Sequence, residues 1–117
     1  MSKYRIAVAS SDGIVVNQHF GRADTFYIFE ADDSMNTTLV EKRQLTPVCK
    51  RGNHDDNALA KNVEMLKDCE YILVSRIGAG AANAVESKGI TPMELPGIIP
   101  ESIEKLVQYI KIQELFP

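Results

Sequence analysis

The residues of this chain best suited to chemistry are few, and they cluster in polar stretches that read as loops: His19, His54 and Cys49 all fall in them. Cys49-Lys50-Arg51-Gly52-Asn53-His54 spaces a thiol and an imidazole as C-x4-H, and the other histidine, His19, lies in Gln18-His19-Phe20-Gly21-Arg22. Imidazole and thiolate are ligands that transition metals and iron–sulfur clusters prefer. Three such groups do not complete a closed tetrahedral zinc site, which generally takes four ligands. They could hold a cluster whose other positions are filled by its own sulfides. The plain alternative is two surface histidines and a thiol with no shared role.

The charges nearby point the same way. Arg22, Lys50, Arg51 and Arg76 fall in or beside loops, several of them at the carboxyl ends of predicted strands. In open α/β sheets ligands sit in that crevice, and cationic groups there suit an anionic ligand. Taken singly, each reads as part of a solvated rim. Gly78-Ala79-Gly80 follows a strand and opens a helix, so its backbone N–H groups could meet an anion at the helix N-terminus. Close packing of the helix on the sheet is the alternative. A dinucleotide fingerprint needs glycine or alanine where Asn83 stands, and the Gly-Lys-Ser/Thr of a phosphate loop is absent.

Other reactive groups read as structural. Cys69, between a helix end and a strand, is expected to be a small buried residue. Asp12, Asp24, Asp32, Asp33, Asp55, Asp56 and Asp68 sit mainly in turns and caps, where aspartate is commonplace. No serine or cysteine stands in the context of a catalytic nucleophile.

The elements that must position these groups follow from hydrophobic period. Lys3 to Ala9 is apolar on both faces, as in the middle of a covered sheet. Ser11-Asp12-Gly13 signals a turn into a short strand, Ile14-Val15-Val16, and the two are expected to form an antiparallel hairpin. After the polar stretch Asn17 to Asp24, strands are predicted over Thr25 to Ala31 and Thr37 to Leu45. Glu41, Lys42 and Arg43 protect the second as an edge. Leu59, Val63 and Leu66 predict a helix over about 57–67, with Asp55 or Asp56 near its cap. Tyr71 to Ser75 is a buried-type strand. Ala79 to Lys88 is a small-residue helix stopped by Gly89. Ile90 to Leu95 is a last strand, and Pro100 opens a final helix striped by Ile103, Leu106, Val107 and Ile110. The order ββββαβαβα predicts a mixed sheet with helices on both faces.

Length and composition set the bounds. A chain of 117 residues with 44% hydrophobic and 25% charged residues fits one globular domain over residues 1–117. A net charge of −3 argues against nucleic-acid binding driven by phosphate attraction. The apolar run Ile6-Ala7-Val8-Ala9 is too short for a signal-peptide core or a membrane span. A cytoplasmic protein with two reduced thiols and no membrane partner is therefore expected.

Val16-Asn17-Gln18-His19-Phe20-Gly21-Arg22-Ala23, with the strand Thr25 to Glu30 after it, closely resembles the opening signature of the nitrogenase iron–molybdenum-cofactor carrier family. That family comprises NifX, NafY, the carboxyl-terminal domain of NifB and stand-alone homologues. Asp68 to Gly78 resembles its central strand and glycine turn, and Lys88-Gly89-Ile90 its lead into the last strand. The resemblance runs from about Ile6 to Leu106. It implies a ribonuclease-H-like three-layer α/β/α sandwich and the handling of iron–sulfur cofactor precursors passed between assembly proteins. The resemblance also implies that His19 is a candidate cluster ligand and Cys49, in the region of the NifB-type Cys-x-Gly loop, the second candidate; here that loop has one extra residue before Gly52. The radical-SAM portion of NifB has no counterpart in these residues, so its chemistry is not carried over.

The leading expectation is a non-catalytic carrier or scaffold for a transiently bound iron–sulfur or iron–molybdenum-type cluster. His19 and Cys49 would be its metal ligands and His54 a third contact. Arg22, Arg51 and Arg76 would neutralise cluster charge beside the Gly78 turn. Two other expectations stand beside it. A ribonuclease-H-like nuclease would need several strand carboxylates for two metal ions, and neither Ile6-Ala7-Val8 nor Tyr71-Ile72-Leu73-Val74 carries one. A small-anion or partner-binding module would leave the histidines incidental.

Overall fold

The structure, a computed structural model, describes residues 3–50, 53, 54 and 56–116, with residues 49, 50, 53 and 54 described by their backbone. In chain order its elements are β1 (Lys3–Ala9), β2 (Val15–Val16), a 3-10 turn (Phe20–Arg22), β3 (Thr25–Asp32), β4 (Thr37–Gln44), β5 (Cys49–Lys50) and β6 (Asn53–His54). There follow α1 (Asp56–Met65), β7 (Tyr71–Val74), α2 (Ala79–Glu86), β8 (Thr91–Glu94), β9 (Gly97–Ile98) and α3 (Ile99–Leu115).

Five strands form one mixed sheet in the order β4-β3-β1-β7-β8. The apolar β1 is central, antiparallel to β3 and parallel to β7, which is in turn parallel to β8. Alternation along β1 assigns its two faces. Ala7 and Ala9 pack with Leu59, Val63 and Leu66 of the α1 region and Ala81 and Val85 of α2. Ile6 and Val8 pack with Ile103, Leu106, Val107 and Ile110 of α3. The expected three-layer α/β/α sandwich with ribonuclease-H-like topology is what the chain forms.

The helices begin and end where local chemistry directs. Gly89 adopts φ +79°, beyond the last turn of α2, and the Ile90 N–H closes that end on the Val85 carbonyl at 3.1 Å. Pro100 sits in the first turn of α3, one residue inside the helix and not at its very start. Asp56 lies in the first turn of α1, while Asp55 is outside the described residues. On the edge strand β4, Leu39 faces Phe29 and Glu41 faces Ile28, so Val40 is an inserted residue that bulges the edge. Bulge and charge together discourage edge-to-edge pairing.

An ion network fastens the antiparallel half of the sheet. Arg43 on β4 reaches both Asp68 oxygens, at 2.7 and 2.6 Å, together with the Met65 carbonyl and Glu41. Arg5 on β1 joins Asp68 at 2.8 Å and Glu30 at 3.1 Å. The two guanidiniums, Arg43 first, hold the Asp68 carboxyl well below the usual carboxylate range. Cys69 beside it is buried and free, as expected, and burial pushes its thiol up to about 12.

Two expectations are corrected. β2 does not form a hairpin with β1. Both sides of β1 are taken by β3 and β7, and Val15 and Val16 pair instead with Ile98 and Gly97. Cys49 and His54 do not lie in open loops. They stand directly opposite one another in the small antiparallel β5–β6 hairpin.

Candidate functional site

β1, β4, β7 and β8 all run the same way and finish at one edge of the sheet, where the oppositely directed β3 begins. The segment between β2 and β3 wedges into this edge between the ends of β1 and β7. Gln18 donates its N–H to the Ala9 carbonyl at 3.4 Å. On the other side its carbonyl accepts from Ser75 at 3.0 Å, and the Phe20 N–H donates to the Arg76 carbonyl at 2.9 Å. His19 and Arg76 thereby form a parallel bridge. Phe20 is driven inward, 2% exposed, with its ring edge-on to Phe26 at 5.8 Å. Burial of such a ring contributes about 2–3 kcal/mol. The His19 carbonyl then accepts from Arg22 and Ala23 at 3.1 and 3.0 Å, closing the 3-10 turn.

The result is a fixed main chain with free side chains. His19, Arg22, Arg76 and Gly78 are all exposed. Among the described residues neither Arg22 nor Arg76 has an ion-pair partner. Four of the expected site residues thus share one edge. The β5 backbone comes within 8 Å, Cα to Cα, of the 3-10 turn, which brings the Cys49–His54 hairpin to the same place. Arg51 lies outside the described residues. Among residues whose side chains are described, no three His, Cys, Asp or Glu groups converge to hold a metal ion.

The glycine turn resolves one of the two readings open for it. Around an added Cβ at Gly78 or Gly80 nothing lies within 4 Å, so neither glycine is required by packing of the helix on the sheet. Gly78 caps α2 without any side-chain hydrogen bond. One neighbouring donor is already taken: Ile77 gives its N–H to Glu94 at 2.9 Å.

Sequence reasoning missed Glu94, Ser75 and Asn62. Glu94 ends β8 and could have been found by the strand-end rule that singled out the arginines. The Ser75 hydroxyl is buried beside the His19–Arg76 bridge without a hydrogen-bond partner. Asn62 is 2% exposed on α1 and binds the Thr46 carbonyl at 2.5 Å. Neither has a local signature. Asp12 is committed to the turn before β2. One of its oxygens accepts from Ile14 at 2.9 Å and Val15 at 3.2 Å, and these bonds lower its pKa.

A family model described as dinitrogenase iron-molybdenum cofactor matches residues 2–110. The chain belongs to that family. Relatives agree with the assignment. The FeMo cofactor biosynthesis protein NifB of Frankia alni is 36% identical over 104 residues, 86% of this chain and 20% of that protein. NifB of Klebsiella pneumoniae is 39% identical over 93 residues, covering 74% of this chain and 19% of its own length. The chain thus spans about a fifth of the curated NifB proteins it matches. The crystal structure of the protein PH0822 is similar with a TM-score of 0.68, covering 89% of each chain at 21% identity. The family match covers the whole sheet and the segment that carries His19. Among the described residues no helix is long and apolar enough to cross a membrane.

Proposed function

We propose that this chain is one carrier or scaffold domain, without a catalytic role of its own, for an iron–sulfur-type cluster of the kind that precedes the FeMo cofactor. The observation that carries the reading is the edge where His19 is pinned through its main chain beside Arg22 and Arg76, neither of which has an ion-pair partner among the described residues, with the Cys49–His54 hairpin alongside. The donor chemistry fits such a cargo: imidazole and thiolate are ligands for iron, and guanidinium groups balance the negative charge of thiolate-bound clusters.

His19 and Cys49 would bind the cargo's metal, and His54 would be a third contact. Arg22, Arg51 and Arg76 would balance its charge, with the open Gly78 turn admitting it close to the backbone. A site with few protein ligands on an exposed edge lets go of its cargo more readily than a closed four-ligand cage. The partners would then be the cluster and the assembly proteins that give and receive it, in the reducing cytoplasm where thiols stay free. The relatives named for FeMo cofactor biosynthesis support this reading.

Anaerobic reconstitution with iron and sulfide, followed by absorbance and iron counting, tests it. The wild type is expected to take up cluster and the His19→Ala, Cys49→Ala double variant to lose most of it. A double variant that retains as much iron and sulfide as the wild type refutes the site.

A further inference from the structure

Asn62 is a polar residue where the fold asks for an apolar one. It lies on α1 between Leu59 and Val63, both buried in the core, and is itself 2% exposed. Its Nδ2 donates to the Thr46 carbonyl at 2.5 Å, but its buried Oδ1 has no partner. A half-satisfied buried amide, carried by a residue of low helix propensity, is a poor choice for stability alone. What the amide does accomplish is to hold one carbonyl of the strap that joins β4 to β5.

That strap, residues 45–48, has three fixings. The Leu45 N–H donates to the Asp24 carbonyl at 2.8 Å, just past the 3-10 turn. Asn62 holds Thr46, and Val48 is packed in the core at 1% exposure. The next residue is Cys49. The fixings tie the strap on one side to the segment carrying His19 and on the other to α1.

We propose that Asn62 is a positioning residue: through the Thr46 carbonyl it sets where the backbone of Cys49 stands relative to the turn that carries His19. Its consequence for cargo binding rests on the function proposed above; its consequence for Cys49 does not.

Two variants separate positioning from stability. Asn62→Leu removes the donor and the orphaned oxygen while keeping the number and branching of the side-chain heavy atoms. Asn62→Ala removes the amide altogether and leaves no group that reaches the carbonyl. Each is measured in three ways: thermal melting, the rate at which iodoacetamide alkylates Cys49 in metal-free protein, and the absorption and EPR spectra with iron retention after reconstitution. Cys69 stays silent in the alkylation, because it is buried and its thiol is pushed up to about 12.

Asn62→Leu is expected to melt close to the wild type, to be alkylated several-fold faster at Cys49, and to yield iron to a chelator about tenfold faster with an altered spectrum. Asn62→Ala should show the same alkylation change. Unchanged alkylation in both variants overturns the proposal, whether or not the wild type takes up a cluster. Faster alkylation that appears only in a variant melting far below the wild type overturns it too, since loosening is then global. Faster alkylation beside a wild type that takes up no cluster supports the positioning role and refutes the cargo reading alone.

Discussion

Gly13 is where the turn that delivers β2 and His19 is most exposed to a single change. Its φ is +75°, and a Cβ placed there would stand 2.9 Å from Cε2 and 3.0 Å from Cζ of Tyr27. In Gly13→Ala the backbone conformation alone costs about 1–2 kcal/mol for a residue with a Cβ. The contact adds less than a core overlap would, about 0.5–1 kcal/mol, because a ring tip can swing aside at the cost of leaving its rotamer. The sum is about 2 kcal/mol, which at this chain length lowers Tm by about 8 °C. Gly13→Asn separates the two terms: asparagine tolerates positive φ but meets the same ring, so its loss should be about half as large. Thermal denaturation followed by far-ultraviolet circular dichroism measures both. A Gly13→Ala protein melting within about 2 °C of the wild type, or an asparagine variant worse than the alanine one, refutes this account of the turn.

Other predictions rest on charge and on one strained residue. Asp68→Asn leaves Arg43 and Arg5 without their shared carboxylate, and should cost about 1–2 kcal/mol at neutral pH, allowing for the screening of a side chain 43% exposed. Because the Asp68 pKa is lowered by folding, its contribution is present above the unfolded value of about 4 and fades as pH falls below it. The melting difference between wild type and Asp68→Asn should therefore shrink from pH 6 down to pH 2; a constant difference refutes the linkage. Met35 holds φ 67° in the turn between β3 and β4, where the Asp32 carboxylate already accepts from Ser34 and Asn36. Met35→Gly should raise Tm by about 2–4 °C, since relief of the backbone exceeds the glycine's added chain entropy. A lower Tm refutes it.

What was legible in the sequence followed from period and punctuation. The stripe Ile103, Leu106, Val107, Ile110 located α3, and the β-branched runs located β1 and β7, because each buried face repeats along its own element. The Ser11-Asp12-Gly13 turn was legible too, but not the partner of the strand it starts. A two-residue strand has too little pattern to choose a mate, and Val15 and Val16 find theirs some eighty residues later, at Ile98 and Gly97. The same brevity hid the pairing of Cys49 with His54. Asn62 was invisible for another reason: its value lies in a carbonyl sixteen residues away, and no local rule marks a helix residue as a tether.

The edge itself explains why His19 stood out in the sequence when its surroundings did not. Its side chain does not face the core, so packing places no demand on residue type there; the main chain does the holding, through the Ala9, Ser75 and Arg76 bonds made by Gln18 and Phe20. Any residue could satisfy those bonds. A histidine at the bridge, with Phe20 as the buried anchor and Arg22 exposed beside it, is the arrangement the proposed cargo site would use. Functional groups borne on loops fixed to a rigid sheet are the usual form of such an arrangement. The division of labour also separates the tests: changes at Gly13 or Phe20 should loosen the platform, whereas changes at His19 or Arg22 should leave melting almost untouched and alter only what the edge can bind.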